Sequence, residues 1–185
     1  MAFVPDQAIE VGQRSAPLFE EAGALVLRRD HPLAGRRLTR DQFNELPQID
    51  VQVALGQSGV GHRVSERQLS AQRARRRFVL TVPYFMTAAL AVSRTDAAAV
   101  LPERLATLCC NLVPLKIVPV SFPLPRVPMV MVWHERTDAD PGARFFRQLV
   151  QEAVKGSGTH RARIEPHAGR SQARGRQRRR RRLPA

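Results

Sequence analysis

Hydrophobic and polar positions along this chain fall into short blocks with distinct periods. Residues 24–27 form an apolar run that breaks at "RRDHPLAG", where Pro32 and Gly35 force a loop, so the run predicts a buried strand. Thr39-Arg40-Asp41-Gln42 has capping-box spacing and predicts a short helix to Leu46, stopped by Pro47. "QIDVQV" then alternates, with Ile49, Val51 and Val53 on one face and Gln48, Asp50 and Gln52 on the other, which is strand periodicity. A glycine loop, "LGQSGVGH", leads to the helix-permissive and outwardly basic "VSERQLSAQRARRR". Residues 78–82 predict a strand ended by Pro83, residues 84–93 a helix, residues 97–101 a strand, and Pro102 opens a helix through about Cys109. Strand–helix–strand at this spacing predicts a crossover unit of a parallel sheet. Proline-rich extended chain follows, then a buried strand at 129–133. Asp140-Pro141 starts the last helix, with a capping side chain before a proline at the first helical position. Its apolar residues Phe145, Phe146, Leu149, Val150 and Ala153 share one face.

Past Val154 apolar periodicity stops, and residues 155–185 predict a disordered, arginine-rich tail. That boundary changes the meaning of the net charge of +14. The tail holds eleven basic residues and one acid, so residues 1–154 are only mildly basic. The tail has the charge for nonspecific nucleic-acid binding, but arginine outnumbers lysine 28 to 2 over the whole chain, which an arginine-rich coding bias also produces. The apolar stretch 78–93 is too short for a membrane span of about 20 residues and is interrupted by Pro83. The first residues lack the basic and apolar regions of a signal peptide. Cys109 and Cys110 are adjacent, which predicts small buried hydrophobes in a reducing cytosol rather than a disulfide, and a cytoplasmic protein.

Three ordered segments, "LVLRRDHPLAG", "RRRFVLTVPYFMTAALAVSRTDAAAVLPERLA" and "WHERTDADPGARFFRQLV", resemble the effector-binding domain of LysR-type transcriptional regulators, in the branch responding to aromatic compounds and nodulation signals. The resemblance runs from about Leu18 to Val154. It implies a two-lobed α/β fold like a type 2 periplasmic binding protein, N-terminally incomplete. On this pattern lobe one spans 16–46 plus 117–154 and lobe two 47–116, with crossings near Leu46 and Pro47 and at 113–115. Residues 1–15 are an uncertain remnant. The resemblance also implies a small-molecule effector between the lobes, homo-oligomers, and DNA contact only through a winged helix-turn-helix absent from this chain. Gln48 and Arg73 depart from the family pattern, which favours histidine and glycine there.

In open α/β sheets ligands bind beyond the carboxyl ends of strands. The first such place is the turn Pro83, Tyr84, Phe85 and Met86, where free amides at a helix start suit a carboxylate or phenolate and the aromatics supply a wall. The resemblance places effector contacts at the same turn. The second is the loop after "QIDVQV", with Gln57 and Ser58, together with Gln52 and Asp50 at the strand end. Enzymatic readings of that loop fail by one residue each. A nucleophile elbow has Val60 where glycine is required, and a dinucleotide fingerprint has Val64. His134-Glu135 lacks the second histidine of a zinc helix, since position 138 is aspartate. The expectation is a ligand-sensing module without catalysis, metal or cofactor. The alternatives are a tail-driven nucleic-acid binder and a solute-binding transport component.

Overall fold

In the computed structural model residues 1–53 and 59–157 are described. The molecule is organised by one long strand, β2 (Gln13–Arg28), which takes part in two sheets in turn. Its first half pairs antiparallel with β7 (Arg126–His134), and β7 pairs on its other edge with β1 (Ala2–Pro5). Pro17 has no N–H to give the ladder, and the register shifts between Pro17 and Phe19, so the strand carries an irregularity there. The second half of β2 lies between β5 (Ala99–Pro102) and β6 (Leu115–Val118), antiparallel to both. The strand passes from one sheet to the other at Gly23, whose N–H donates to Pro125 O at 2.7 Å. A Cβ on Gly23 would lie 3.1 Å from Val100 Cγ1 of β5, so a side chain here would press on β5.

The second body is completed by β3 (Pro47–Val51) and β4 (Arg77–Val82), a parallel pair. The free edge of β3 reaches Ala98 through Ile49 N–H to Ala98 O and Ala98 N–H to Pro47 O, both 2.8 Å. β3 therefore separates β4 from β5, and the adjacent parallel strands joined by a helix are β3 and β4, across α2 (Val60–Ala71). The alternation of β2 splits its side chains between two cores. Ala24 and Val26 pack with Ile49, Val92 and Leu101 under α3 (Phe85–Val92) and α4 (Glu103–Leu112). Leu25 and Leu27 pack with Phe43, Leu69 and Val118 under α1 (Arg40–Glu45) and α2. Helices thus cover both faces, as parallel strands buried on both sides require.

Contacts distant in sequence decide several further features. Both cores hold residues from before and after Leu46 and Pro47, and β2 changes sheets at Gly23, beside Pro125. The β1–β7–β2 sheet with α5 (Pro141–Ser157) forms the smaller body. Within residues 1–15, β1 and the start of β2 are strands paired to β7. The polar face of β3 is not solvent-facing, since Gln48 and Asp50 are as buried as Ile49. In α5, Phe145, Phe146 and Leu149 are exposed, and Arg147 is buried. Its buried guanidinium donates to Thr137 O and Asp138 O at 3.2 and 3.0 Å and lies 4.6 Å from the Trp133 ring centre. No described helix is long and apolar enough to cross a membrane. The tail expectation falls outside the described residues from 158 onward.

Candidate functional site

A cleft of about 780 Å³ opens between the two bodies. One wall comes from β1, the first half of β2 and β7, including Phe3, Phe19 and Met129. The facing wall comes from the end of β3, the start of α2, Phe85 at the start of α3, and β5. At Gly61 the walls approach each other, and a Cβ there would sit 3.5 Å from Pro5 Cγ. The site lies at the carboxyl ends of the parallel strands, where both succeeding helices begin. Neither Gly59, which caps α2, nor Tyr84, which caps α3, supplies a side-chain acceptor to the opening amides. Among the described residues, each helix thus presents its positive end with no side-chain cap from its N-cap residue.

The floor is a buried polar network between β3 and α2. Asp50, 1% exposed, accepts from Gln52 Nε2 at 2.8 Å and lies 2.9 and 3.1 Å from His62 Nε2. Behind it, the buried Arg76 guanidinium bonds Glu66 Oε1 at 2.7 Å and Gln48 Oε1 at 3.0 Å, and stands 3.6 Å from Asp50 Oδ1. This explains the polar face of β3: its partners are side chains of α2 and of Arg76, just before β4, and such burial is tolerated only when satisfied. His62 engages Asp50 through Nε2, which leaves Nδ1, without a partner among the described residues, to meet a guest. It accepts a hydrogen bond if the ring is neutral with Nε2 protonated, and donates one if the ring is a cation.

Glu21 lines the same cleft. Burial pushes its carboxyl up from the ordinary value, against the backbone N–H and charge of Arg104, which pull it down. An acid whose folded pKa is raised contributes most to stability below its unfolded pKa of 4.5, and that contribution is lost as pH rises through the higher folded value. Glu21→Gln should therefore raise Tm relative to the native chain at pH 7, with the gap closing as pH falls toward the carboxylate range. A thermal-unfolding series in pH checks this, and a gap that widens on acidification would contradict the assignment.

Of the residues expected at the site, Phe85 lines the cleft and Gln52 holds its floor by bonding Asp50. Pro83, Tyr84 and Met86 are exposed outside it, Tyr84 at 67%. Gln57 and Ser58 lie outside the described residues. Sequence reasoning missed His62, Arg76 and Glu21. The one available signal was His62 in the first turn after the glycine loop, which metal-ligand spacing alone does not pick out.

The fold and the site define a two-lobed α/β binding domain with its cleft at a sheet's strand ends. Residues 2–155 match the model of the LysR substrate-binding domain, and the chain belongs to that family of transcription-regulator domains. Relatives include the HTH-type transcriptional activator NagR of Ralstonia sp, 31% identical over 144 residues, covering 78% of this chain and 46% of that protein. The HTH-type transcriptional activator NahR of Pseudomonas putida is 28% identical, with 77% and 46% covered. The chain thus spans about half the length of the curated relatives it matches. Among solved structures, the CcmR regulatory domain of Synechocystis in complex with 2-PG superposes with a TM-score of 0.70 at 14% identity, covering 83% of this chain and 72% of that one. LysR regulatory domains of this kind have the two-lobed periplasmic-binding-protein-like fold that the sequence resemblance implied. The transport and tail-binding alternatives gain no support from these matches.

Proposed function

We propose that the chain is the effector-sensing part of a cytoplasmic, homo-oligomeric transcriptional regulator, and that it binds a small molecule in the cleft without transforming it. DNA contact would come from a helix-turn-helix outside this sequence. The observation that carries this reading is the cleft itself: largely apolar walls converging on one satisfied polar floor, with two helix starts at its edge. A guest with an aromatic body would rest against Phe85, Phe19 and Met129. A carboxylate or phenolate on it would meet the amides at Val60 and Gly61 and the imidazole of His62. Gln57 and Ser58 remain proposed contacts, because the residues on either side of their loop, Val53 and Gly59, both line the cleft. Both bodies contribute a wall, so a guest that binds one spacing of the walls better than another shifts that population by its differential affinity.

Calorimetric titration with benzoate and related aromatic acids tests this. Saturable 1:1 binding is expected. Phe85→Ala and His62→Ala should each weaken it by about tenfold, roughly 1.4 kcal/mol. Tyr84→Ala, outside the cleft, should leave it within about twofold. Unchanged affinity in both cleft variants would place the guest elsewhere.

A further inference from the structure

β7 begins where the two bodies meet, and its first residue is held from both. Pro125 O takes the Gly23 N–H, and Arg126 stands opposite Ala22 of β2. The Arg126 N–H donates to Gln68 Oε1 at 2.8 Å, and Gln68 Nε2 donates to Arg126 O at 2.7 Å. A residue in an antiparallel ladder turns its N–H and C=O to the same edge, so Gln68 sits on the edge of β7 away from β2. β1 occupies that edge further along, at Met129–Val132. A carboxamide offers a donor and an acceptor as a peptide group does, so Gln68 fills the ladder where β1 does not reach. It comes from the other body: the next residue of α2, Leu69, is 1% exposed in the larger body's core.

We propose that Gln68 is a positioning residue, a clasp that sets the spacing of the cleft walls. It does not line the cleft itself, whereas Gly61 and His62 at the start of the same helix do. Seven residues separate Gly61 from Gln68, about 10 Å of rigid helix, so the grip on Arg126 fixes where β1 and β7 stand relative to the α2 start. With the clasp closed, Pro5 of β1 comes into contact range of Gly61. α4 packs on the opposite face of the larger sheet from α2, and there the bodies meet differently. The Glu21 carboxylate accepts from the backbone N–H groups of Glu103 and Arg104, and the Arg104 guanidinium lies 4.5 Å from the Phe19 ring centre. Loss of Gln68 leaves that second attachment as a pivot, so the walls part on the α2 side. The clasp stands on geometry alone, and its effect on a guest rests on the cleft reading above.

An NMR comparison of the full native chain with Gln68→Met, without ligand, tests the clasp. Methionine suits a helix and has similar length, but gives Arg126 neither donor nor strong acceptor. A cross-wall NOE between Gly61 Hα and the Pro5 ring is expected in the native chain and should lose most of its intensity in the variant. Exchange of the Arg126 amide should quicken by at least about tenfold, while Met131 and Val132 keep their protection and show β7 intact. Arg126→Ala leaves that backbone in place and should match the native chain in both readouts, which separates the clasp from the exposed Arg126–Glu20 pair. With benzoate, Gln68→Met should raise the Kd by about three- to tenfold, while the shifts of Val60–His62 at saturation stay native. An undiminished NOE, unchanged Arg126 exchange, or a Kd unmoved by Gln68→Met would overturn the proposal. A native chain that binds no benzoate would count against the cleft reading, and the NOE would still decide the clasp.

Discussion

Arg76→Met lowers the unfolding free energy by about 3–5 kcal/mol, and much of that cost comes from what it leaves behind. The guanidinium, with its side chain 6% exposed, serves Glu66, Gln48 and the carbonyl oxygen of Ile49 and stands beside Asp50. It also lies 4.5 Å from the Phe78 ring centre. Glu66, 31% exposed, can turn to water when Arg76 is lost. Asp50 cannot, because its side chain is 1% exposed and fixed by β3. Its charge then depends on His62 and Gln52 alone. Chemical denaturation should accordingly show partial recovery when Asp50→Asn is added to Arg76→Met, since the second change removes the stranded charge. Additivity of the two losses would mean that Arg76 supports only α2 and not the cleft floor. A coupling of about 0.5–3 kcal/mol is expected for groups in one network.

Phe43→Ala should cost a similar amount, about 3–5 kcal/mol, by opening a cavity in a closed core. Phe43 is fully buried and meets Phe122 edge-to-face, with ring centres 5.1 Å apart and planes at 82°. The same core holds Leu25 and Leu27 of β2, Leu69 of α2 and Val118 of β6. The loss should therefore spread to all of these elements. Hydrogen exchange should accelerate in β2 beyond Gly23, in α2 and in β6 together. A loss of protection confined to α1 and its flanking loops would restore the division at Leu46 and Pro47 that the packing speaks against.

Local signals in the sequence proved reliable where a few adjacent residues decide the geometry. Thr39 Oγ1 accepts from Gln42 N–H at 3.2 Å and Gln42 Oε1 accepts from Thr39 N–H at 2.9 Å, the reciprocal cap that their spacing implies. Asp140 Oδ1 likewise accepts from Ala143 N–H and starts α5. The family and the binding-domain fold were legible from three ordered segments. What was not legible depended on distant partners. β2 runs through Pro17 and Gly23, with a shifted register against β7 between Pro17 and Phe19 and with a Cβ at Gly23 coming within 3.1 Å of Val100 Cγ1, features set by distant strands. The alternation of "QIDVQV" correctly separates two faces but cannot show that the polar one is buried against Arg76, twenty-six positions after Asp50. The turn at Pro83 was a sound place to look, but only Phe85 of its four candidates faces the cleft. A helix start presents successive residues at about 100° intervals, so a motif locates the turn without choosing the side chain. On α5 the apolar residues Phe145, Phe146 and Leu149 face outward, while the polar Arg147 is buried and bonds Thr137 O and Asp138 O, which the sequence pattern alone does not show.

The most direct test of the cleft is an NMR titration of the full chain with benzoate, following backbone amides and the His62 ring. The largest shift changes are expected at Val60, Gly61, His62 and Phe85 on one wall and at Phe19 and Met129 on the other. The His62 signals should move in step with the rest, at one common midpoint. Saturating changes clustered instead on the shallow groove lined by Leu80, Ala91 and Asp96, with Val60–His62 unmoved, would contradict a guest seated between the two bodies.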